Sequence, residues 1–314
     1  MVRSGAMEGP MAAHGASRGV PMARHNRTVH ALVRLVRPHQ WVKNVLVLVA
    51  LVTAHRWGDP HAVLAALRVA AAFCLVASAV YAVNDVLDRE ADAAHPAKRD
   101  RPVACGAVSP GLALGLAAAR AASGIALAAA GSGPALGALA AYAAVALAYC
   151  MLFKRLLWID VVALAALYVL RVVAGAWAIE VAPSPWLLAF AGFVFASLAS
   201  LKRYADLRAF AGDVLPGRAY RRDDSGVVLA VGAAAGVVAV LVLALYANSP
   251  DVSAMYEHPH WIWLLCPLLL YWLARMWMLA HRAAVDADPI VFALRDPASW
   301  AVAGGFVAAV ALAL

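Results

Sequence analysis

Charged residues are scarce in this sequence. Asp, Glu, Lys and Arg make up 14% of its 314 residues, whereas soluble domains carry roughly 25%. Hydrophobic residues reach 65% and mean hydropathy is +0.77. This composition excludes a water-soluble globule and predicts a membrane protein.

Several other features are absent. The four cysteines have no paired spacing, which argues against a zinc site or a disulfide framework. Residues 1–30 lack the apolar core of a signal peptide and are predicted to form a disordered cytoplasmic tail, followed by one transmembrane catalytic domain over 31–314. The net charge of +8 lies in short loops between apolar runs, which indicates membrane topology and phosphate binding rather than nucleic acid.

Long apolar runs dominate the rest of the chain. They approach the ~20 residues that cross the ~30 Å hydrocarbon layer. Because they are rich in Ala, Leu and Val and do not alternate with polar residues, we expect helices rather than a barrel. The predicted fold is all-α, a polytopic bundle of about nine transmembrane helices. The predicted spans lie near 42–57, 61–83, 108–130, 134–153, 157–179, 185–201, 226–247, 260–281 and 297–314.

Lys and Arg are distributed asymmetrically between the loops. With the amino terminus inside, Arg56 alone falls in an outside connection, and the turns at 131–134, 182–185 and 248–260 contain neither residue. The positive-inside rule therefore predicts an inner-membrane protein with its amino terminus in the cytoplasm. We expect its chemistry at the cytoplasmic face.

The second predicted span ends in an acidic segment. Asn84, Asp88 and Asp92 recur every four residues, so a helix places their side chains on one face. Converging acids require a cation, and oxygen ligands favour Mg²⁺ completed by phosphate oxygens. The segment predicts a magnesium–diphosphate site, with Asp85 as a further catalytic candidate. The alternative is a solvated helix end with incidental acids.

A basic loop follows this acidic segment. It reads His95-Pro96-Ala97-Lys98-Arg99-Asp100-Arg101-Pro102. Lys98, Arg99 and Arg101 are predicted to fold back and neutralise a leaving diphosphate. Alternatively, they are topology signals alone.

The entry to the first span is basic and aromatic. Arg37, Gln40 and Lys43 are predicted to bind a lipid phosphate, and Trp41 is typical of an interfacial anchor. Both roles are compatible.

Arg171 lies inside the fifth predicted span. An ionisable residue there usually faces a partner or a cavity. Asp160 and a substrate phosphate are its candidate partners. Arg68, Arg120 and Arg275 are predicted to be structural or to snorkel.

The run Asn-Asp-x-x-Asp-x-x-x-Asp with its Arg-Pro loop resembles the first signature of the UbiA-type superfamily of intramembrane prenyltransferases, whose architecture has nine helices. Within that superfamily the resemblance is to the decaprenyl-phosphate phosphoribosyltransferase branch. The similar segments are 37–44, 84–102, 201–207 and 293–296.

This resemblance implies transfer of a 5-phosphoribosyl group from 5-phosphoribosyl 1-diphosphate to decaprenyl phosphate, with Mg²⁺ as cofactor and diphosphate as the released product. The product would be a lipid-linked pentose precursor for cell-envelope arabinan or a related glycoconjugate. The resemblance also places Tyr149 and Lys154 in the active cavity, where helix capping by the Lys154 cation is the alternative.

One departure from the aromatic-prenyl branch is informative. Those relatives carry a second aspartate-rich cluster after the sixth span, whereas here Lys202, Arg203, Tyr204 and Asp206 form a predicted basic turn. One acid among several cations suits phosphate more than a second metal. These four residues are therefore predicted to bind substrate.

Two other functions stay open. One is prenyl transfer from a prenyl diphosphate to an aromatic acceptor, with the same metal site. The other is a transporter whose intramembrane arginines line an anion path, which would need broken helices or a repeat of half-chains. The sequence contains no Ser/His/Asp or Cys/His constellation, and an anionic lipid phosphate needs no general base.

Overall fold

Proline and a short polar cap begin most helices in the computed structural model, which describes residues 30–94, 98–215, 217–285 and 288–314. Asp59, Ser109, Asp288 and Asp296 each accept a hydrogen bond from a backbone N–H of the first turn and precede a proline. Proline at the first helical position loses no needed donor, so these pairs are strong start signals. Arg275 also holds Asp296 through two bonds of 2.7 and 2.9 Å.

The described residues form an all-helical bundle, as predicted. The α-helices are α1 (Val49–Thr53), α2 (Pro60–Leu87), α3 (Arg89–Ala94), α4 (Pro110–Ala129), α5 (Gly133–Met151), α6 (Ile159–Ala178), α7 (Pro185–Ala209), α8 (Ser225–Ala247), α9 (Pro250–Met255), α10 (Leu265–His281), α11 (Pro289–Ala293) and α12 (Pro297–Ala313). Tighter 3₁₀ helices cover Pro38–Leu48, Phe153–Arg155, Arg222–Asp224 and Pro259–Leu264.

All nine predicted spans coincide with helical segments. Within the described ranges, seven of these segments are long and apolar enough to cross a membrane. The last, α12, has 17 residues, and the first is the Pro38–Leu48 3₁₀ helix continued by the five-residue α1. The chain is a multi-pass membrane protein. The predicted tail at 1–30 lies outside the described residues except for His30.

The sixth predicted span is too short. The prediction ends this span at 201 and makes Leu201–Leu207 a turn, but α7 continues to Ala209. Hydropathy falls after Leu201, yet no glycine or proline interrupts the segment before Gly212, so the helix extends beyond its apolar part. The residues predicted to form a basic turn are therefore helical.

Helix α6 packs between two apolar cores. On one side it joins the Pro38–Leu48 helix, α2 and α5, around Phe73, Leu139 and Tyr142. On the other side it joins α7, α8, α10 and α12, around Phe195 and Leu269. This central position brings polar groups of α6 into contact with both halves of the bundle.

Gly175 of α6 allows the first helical segment to approach closely. A Cβ atom at this position would lie 1.8 Å from the backbone carbonyl oxygen of Val47. Small residues allow helices in membranes to pack backbone against backbone. The Pro38–Leu48 helix therefore rests directly on α6.

Candidate active site

A cavity of about 360 Å³ lies between the Pro38–Leu48 helix, α2, α5, α6, α7 and α11. Among the described residues that line it, eight are Lys or Arg and two are Asp. The cations are Arg37, Lys43, Lys98, Arg101, Lys154, Arg171, Lys202 and Arg218. Desolvation and the charge of Arg101 lower the pKa of Lys98. The excess of positive charge suits a ligand with several phosphate groups.

The first polar cluster contains the oxygen-bearing side chains of Asn84 and Asp88, together with Tyr149, Lys154 and Arg218. The amide of Asp88 donates to the Asn84 carbonyl at 2.9 Å and that of Asp92 to the Asp88 carbonyl at 2.8 Å, so the helical spacing continues across the end of α2. Lys154 contacts both carboxylate oxygens of Asp88, at 2.7 and 2.9 Å. Asn84, Asp88 and Lys154 all line the cavity.

Asp85 and Asp92 lie behind this cluster. Asp85 is buried and accepts a bond from Arg37 at 2.5 Å, while Arg101 bonds Asp92 at 2.6 Å. Asp85 lines an outer cleft of about 520 Å³, together with Arg34 and His39. Arg37 and Arg101 contact both spaces and separate the cleft from the cavity.

The residues of the first polar cluster fit a magnesium–phosphate site in part. Over the described ranges, no three His, Cys, Asp or Glu side chains converge on one point. However, Mg²⁺ usually binds through one or two carboxylates, with water and substrate phosphate as its other ligands. Asp88 supplies one carboxylate and Asn84 one amide oxygen at the cavity wall. Lys154 pairs with Asp88 and Arg101 pairs with Asp92, the third predicted ligand, but Asp92 does not line the cavity.

The second polar cluster contains Lys43, Lys202, Asp288 and Arg171. The Lys43 ammonium donates to Asp288 at 2.5 Å, and Lys202 lies 3.5 Å from the same oxygen. Burial raises the pKa of Asp288, but the Lys43 and Lys202 charges outweigh that effect and lower it to about 2. Asp288 is therefore ionised and offsets only part of the positive charge.

Arg171 does not pair with Asp160, one of its two predicted partners. It donates to Asn44 at 2.9 Å, to the Tyr142 hydroxyl at 3.0 Å and to the Leu167 carbonyl at 2.5 Å. Asp160 lies in the first turn of α6, about three helical turns before Arg171, and there Arg203 donates to it at 2.9 Å. The Arg171 side chain is buried and lines the cavity.

The predicted residues of α7 are divided between cavity and core. Lys202 lines the cavity, whereas Arg203 is fully buried and bonds Asp160 and Asp206. The Tyr204 hydroxyl pairs with His281 at 2.9 Å. Arg203, Tyr204 and Asp206 therefore lie outside the cavity wall, because successive helical residues point in different directions.

The remaining predictions have mixed outcomes. Gln40 lines the cavity, whereas Arg99 is solvent-exposed and does not. Part of the predicted basic loop, 95–97, falls outside the described residues.

Sequence reasoning missed several cavity residues. Arg218 lies in a basic loop between apolar runs, and Asp288 belongs to an Asp-Pro pair that marks a helix start; neither pattern by itself predicts a cavity residue. Tyr81, Tyr142 and Tyr168 also line the wall. They lie inside apolar runs, where sequence alone does not separate cavity from core.

The chain matches the UbiA prenyltransferase family over residues 45–296. It is 36% identical over 285 residues to the uncharacterized protein y4nM of Sinorhizobium fredii; the match covers 89% of this chain and 55% of that protein. It is 33% identical to nodulation protein NoeC of Azorhizobium caulinodans, over 84% of this chain and 86% of NoeC. It is 37% identical to decaprenyl-phosphate phosphoribosyltransferase of Mycolicibacterium smegmatis, over 57% of this chain and 58% of that enzyme. The chain thus spans little more than half the length of two of these relatives.

The fold also matches a solved structure. A UbiA homolog from Archaeoglobus fulgidus, bound to GPP and Mg²⁺, has a TM-score of 0.67 and 19% identity, with 90% of this chain and 99% of that chain covered. At this identity the match concerns the fold alone.

Proposed function

Because this chain belongs to the UbiA prenyltransferase family, we propose that it transfers a 5-phosphoribosyl group from 5-phosphoribosyl 1-diphosphate to a polyprenyl phosphate such as decaprenyl phosphate. Diphosphate is released. The lipid-linked pentose would serve cell-envelope arabinan or a related glycoconjugate.

The observation that carries the proposal is the presence of two cationic clusters in one cavity. The first contains Lys154 and Arg218 beside Asn84 and Asp88, and the second contains Lys43, Lys202 and Arg171. A donor with a diphosphate at one end and a phosphate at the other supplies anions for both. A prenyl chain is uncharged beyond its diphosphate, so it would leave the second cluster without a phosphate to bind.

The names of the relatives give partial support. The Mycolicibacterium relative is a decaprenyl-phosphate phosphoribosyltransferase, but the similarity covers 57% of this chain. NoeC is similar over most of both chains and is named for nodulation. The proposal of a phosphoribosyl donor therefore depends on the cavity more than on the names.

The first polar cluster would bind the donor diphosphate. Asn84 and Asp88 would hold Mg²⁺, which when bound neutralises charge on the diphosphate and stabilises it as a leaving group. Lys98, Arg101 and Lys154 would stabilise the charge that develops as the C1–O bond breaks.

The bond changes balance without a proton acceptor. The bond from ribose C1 to the diphosphate oxygen breaks, and its electron pair leaves with the diphosphate. An oxygen of the lipid phosphate forms the new bond to C1. That oxygen is already anionic at neutral pH, so no residue must remove a proton.

We also propose that the cavity faces the cytoplasm of an inner-membrane protein. The basic loops that contain Lys98, Lys154 and Arg218 lie beside the cavity, and basic loops face the cytoplasm. A soluble donor would then enter from the cytosol while the lipid tail remains between helices.

The test uses purified protein in detergent with Mg²⁺. One reaction contains radiolabelled 5-phosphoribosyl 1-diphosphate and decaprenyl phosphate; the other contains a prenyl diphosphate and 4-hydroxybenzoate. We expect magnesium-dependent, butanol-extractable label in the first reaction. Label that stays aqueous while the aromatic acid becomes prenylated would replace this proposal with prenyl transfer.

A further inference from the structure

A short hairpin after α7 reaches into the cavity. Two backbone hydrogen bonds join its sides. The Leu215 N–H donates to the Tyr220 carbonyl at 3.0 Å, and the Arg222 N–H donates to the Asp213 carbonyl at 2.8 Å. Gly217 has a φ of +71°, a conformation that glycine adopts without strain and that tight turns require. Arg218 is the hairpin residue that lines the cavity.

Tyr220 anchors this hairpin to the helical bundle. Its side chain is fully buried, and its hydroxyl donates to Asp160 at 2.6 Å while accepting from the Trp158 N–H at 3.1 Å. Burial and the bond to Asp160 raise the pKa of Tyr220. The anchor fixes the hairpin two residues from Arg218.

The Arg218 guanidinium is held over the first polar cluster. One terminal nitrogen, Nη1, donates to the Tyr149 hydroxyl at 2.7 Å and lies 3.5 Å from the Lys154 carbonyl. The guanidinium carbon lies 5.6 Å from the centre of the Tyr149 ring. Nη1 also lies 4.0 Å from the Asp160 carboxylate, and within the described part of the chain all of these polar contacts of Arg218 involve Nη1. The other N–H groups therefore remain available to an anion in the cavity.

We infer that Arg218 binds the diphosphate of the donor and that Tyr149 positions Arg218 for this task. The inference rests on the proposed use of a diphosphate donor. A guanidinium matches phosphate oxygens through two parallel bonds, which a lysine cannot reproduce. In this arrangement Arg218 is a phosphate ligand, and the tyrosine acts through it.

Binding of inorganic diphosphate to the purified full chain with Mg²⁺, measured by calorimetry, tests this assignment. We expect Arg218→Ala to weaken binding at least about tenfold, the loss expected for a charge-assisted hydrogen bond. Arg218→Lys should recover part of the affinity. Arg222→Ala is the matched control, because it removes one cation from the same hairpin at an exposed position; its affinity should stay within about twofold of wild type, since exposed charges are screened.

A double-mutant comparison tests the role of Tyr149. Tyr149→Phe should weaken diphosphate binding in the wild-type background and have no further effect in Arg218→Ala, because the tyrosine acts through the arginine. Equal effects in both backgrounds would contradict its positioning role. Equal affinities for Arg218→Ala and Arg222→Ala, with unchanged melting temperatures, would overturn the assignment of Arg218.

The result is independent of which group the enzyme transfers. Diphosphate is the leaving group in both phosphoribosyl and prenyl transfer. Failure of the binding test would therefore remove Arg218 from the site, whereas failure of the lipid-product assay would change the donor.

Discussion

The end of α2 is mainly acidic and the end of α7 is mainly basic, but both divide their polar residues between the cavity and buried ion pairs. At the end of α2, Asn84 and Asp88 line the cavity, whereas Asp85 is buried and paired with Arg37. At the end of α7, Lys202 lines it, but the next residue, Arg203, is buried against Asp160. Two properties therefore distinguish a binding residue from a structural one. A binding residue points from its helix into the cavity, whereas a structural residue points into the protein and has a buried partner of opposite charge.

The largest expected effect is on folding, from Arg203→Ala. The substitution leaves Asp160 buried without its cation, which costs about 3–5 kcal/mol of stability. Thermal unfolding in detergent should show a strongly lowered melting temperature. Arg208→Ala, at an exposed position of the same helix, should change it little. Equal melting temperatures for the two variants would show that the Arg203–Asp160 pair does not stabilise the fold, and would remove the contrast between Arg203 and Lys202.

Asp88→Asn should affect activity instead of folding. Loss of one carboxylate from the proposed metal site is expected to reduce turnover at least about a hundredfold, with the melting temperature near that of wild type. The control is Glu90→Gln, which changes an exposed acid two residues away. Retained turnover in Asp88→Asn would exclude Asp88 from the site.

The acid stability of the chain should depend on Asp288. Its pKa of about 2 lies below its ordinary value of 3.8. The stabilisation from its ionised form is therefore complete above about pH 4 and is lost as the pH falls towards 2. The loss is about 2 kcal/mol. Unfolding measured against pH should show this loss in wild type and in exposed Asp251→Asn, but not in Asp288→Asn.

Lys202→Ala should have the smallest effect, a change in substrate binding without the loss of stability expected for Arg203→Ala. If Lys202 binds a substrate phosphate, the KM for the donor should rise about tenfold while the melting temperature stays unchanged. Steady-state kinetics of Lys202→Ala, with Arg208→Ala as the control, measures this change in KM. An unchanged KM would show that the α7 end contributes no residue to binding.

The sequence predicted the helices well because hydropathy and capping are local properties. Helices α2 and α4, for example, begin at Pro60 and Pro110, within two residues of the predicted span starts at 61 and 108. The end of α7 was missed because the helix continues through a polar stretch. Hydropathy predicts where a segment leaves the membrane, but the backbone hydrogen bonds of a helix can continue beyond that point.

The acidic segment was identified because its spacing of four is written in the sequence. Arg218 and Asp288 were missed because the backbone brings them to the cavity from distant parts of the chain. Asp160 and Arg171 show the same limit: both lie on α6, yet each finds its partner on a different neighbouring segment. Partner choice between helices is a tertiary property that composition and periodicity do not encode.

The contact at Gly175 has a consequence for mutational tolerance. Any side chain there would push on the Val47 carbonyl. Val47 lies four residues after Lys43 and three after Asn44, the acceptor for Arg171. The displacement caused by a single added methyl group, one turn after Arg171 on α6, would thus be transmitted along the first helix to the second polar cluster. A saturation screen at this position should return glycine alone, although Gly175 does not line the cavity.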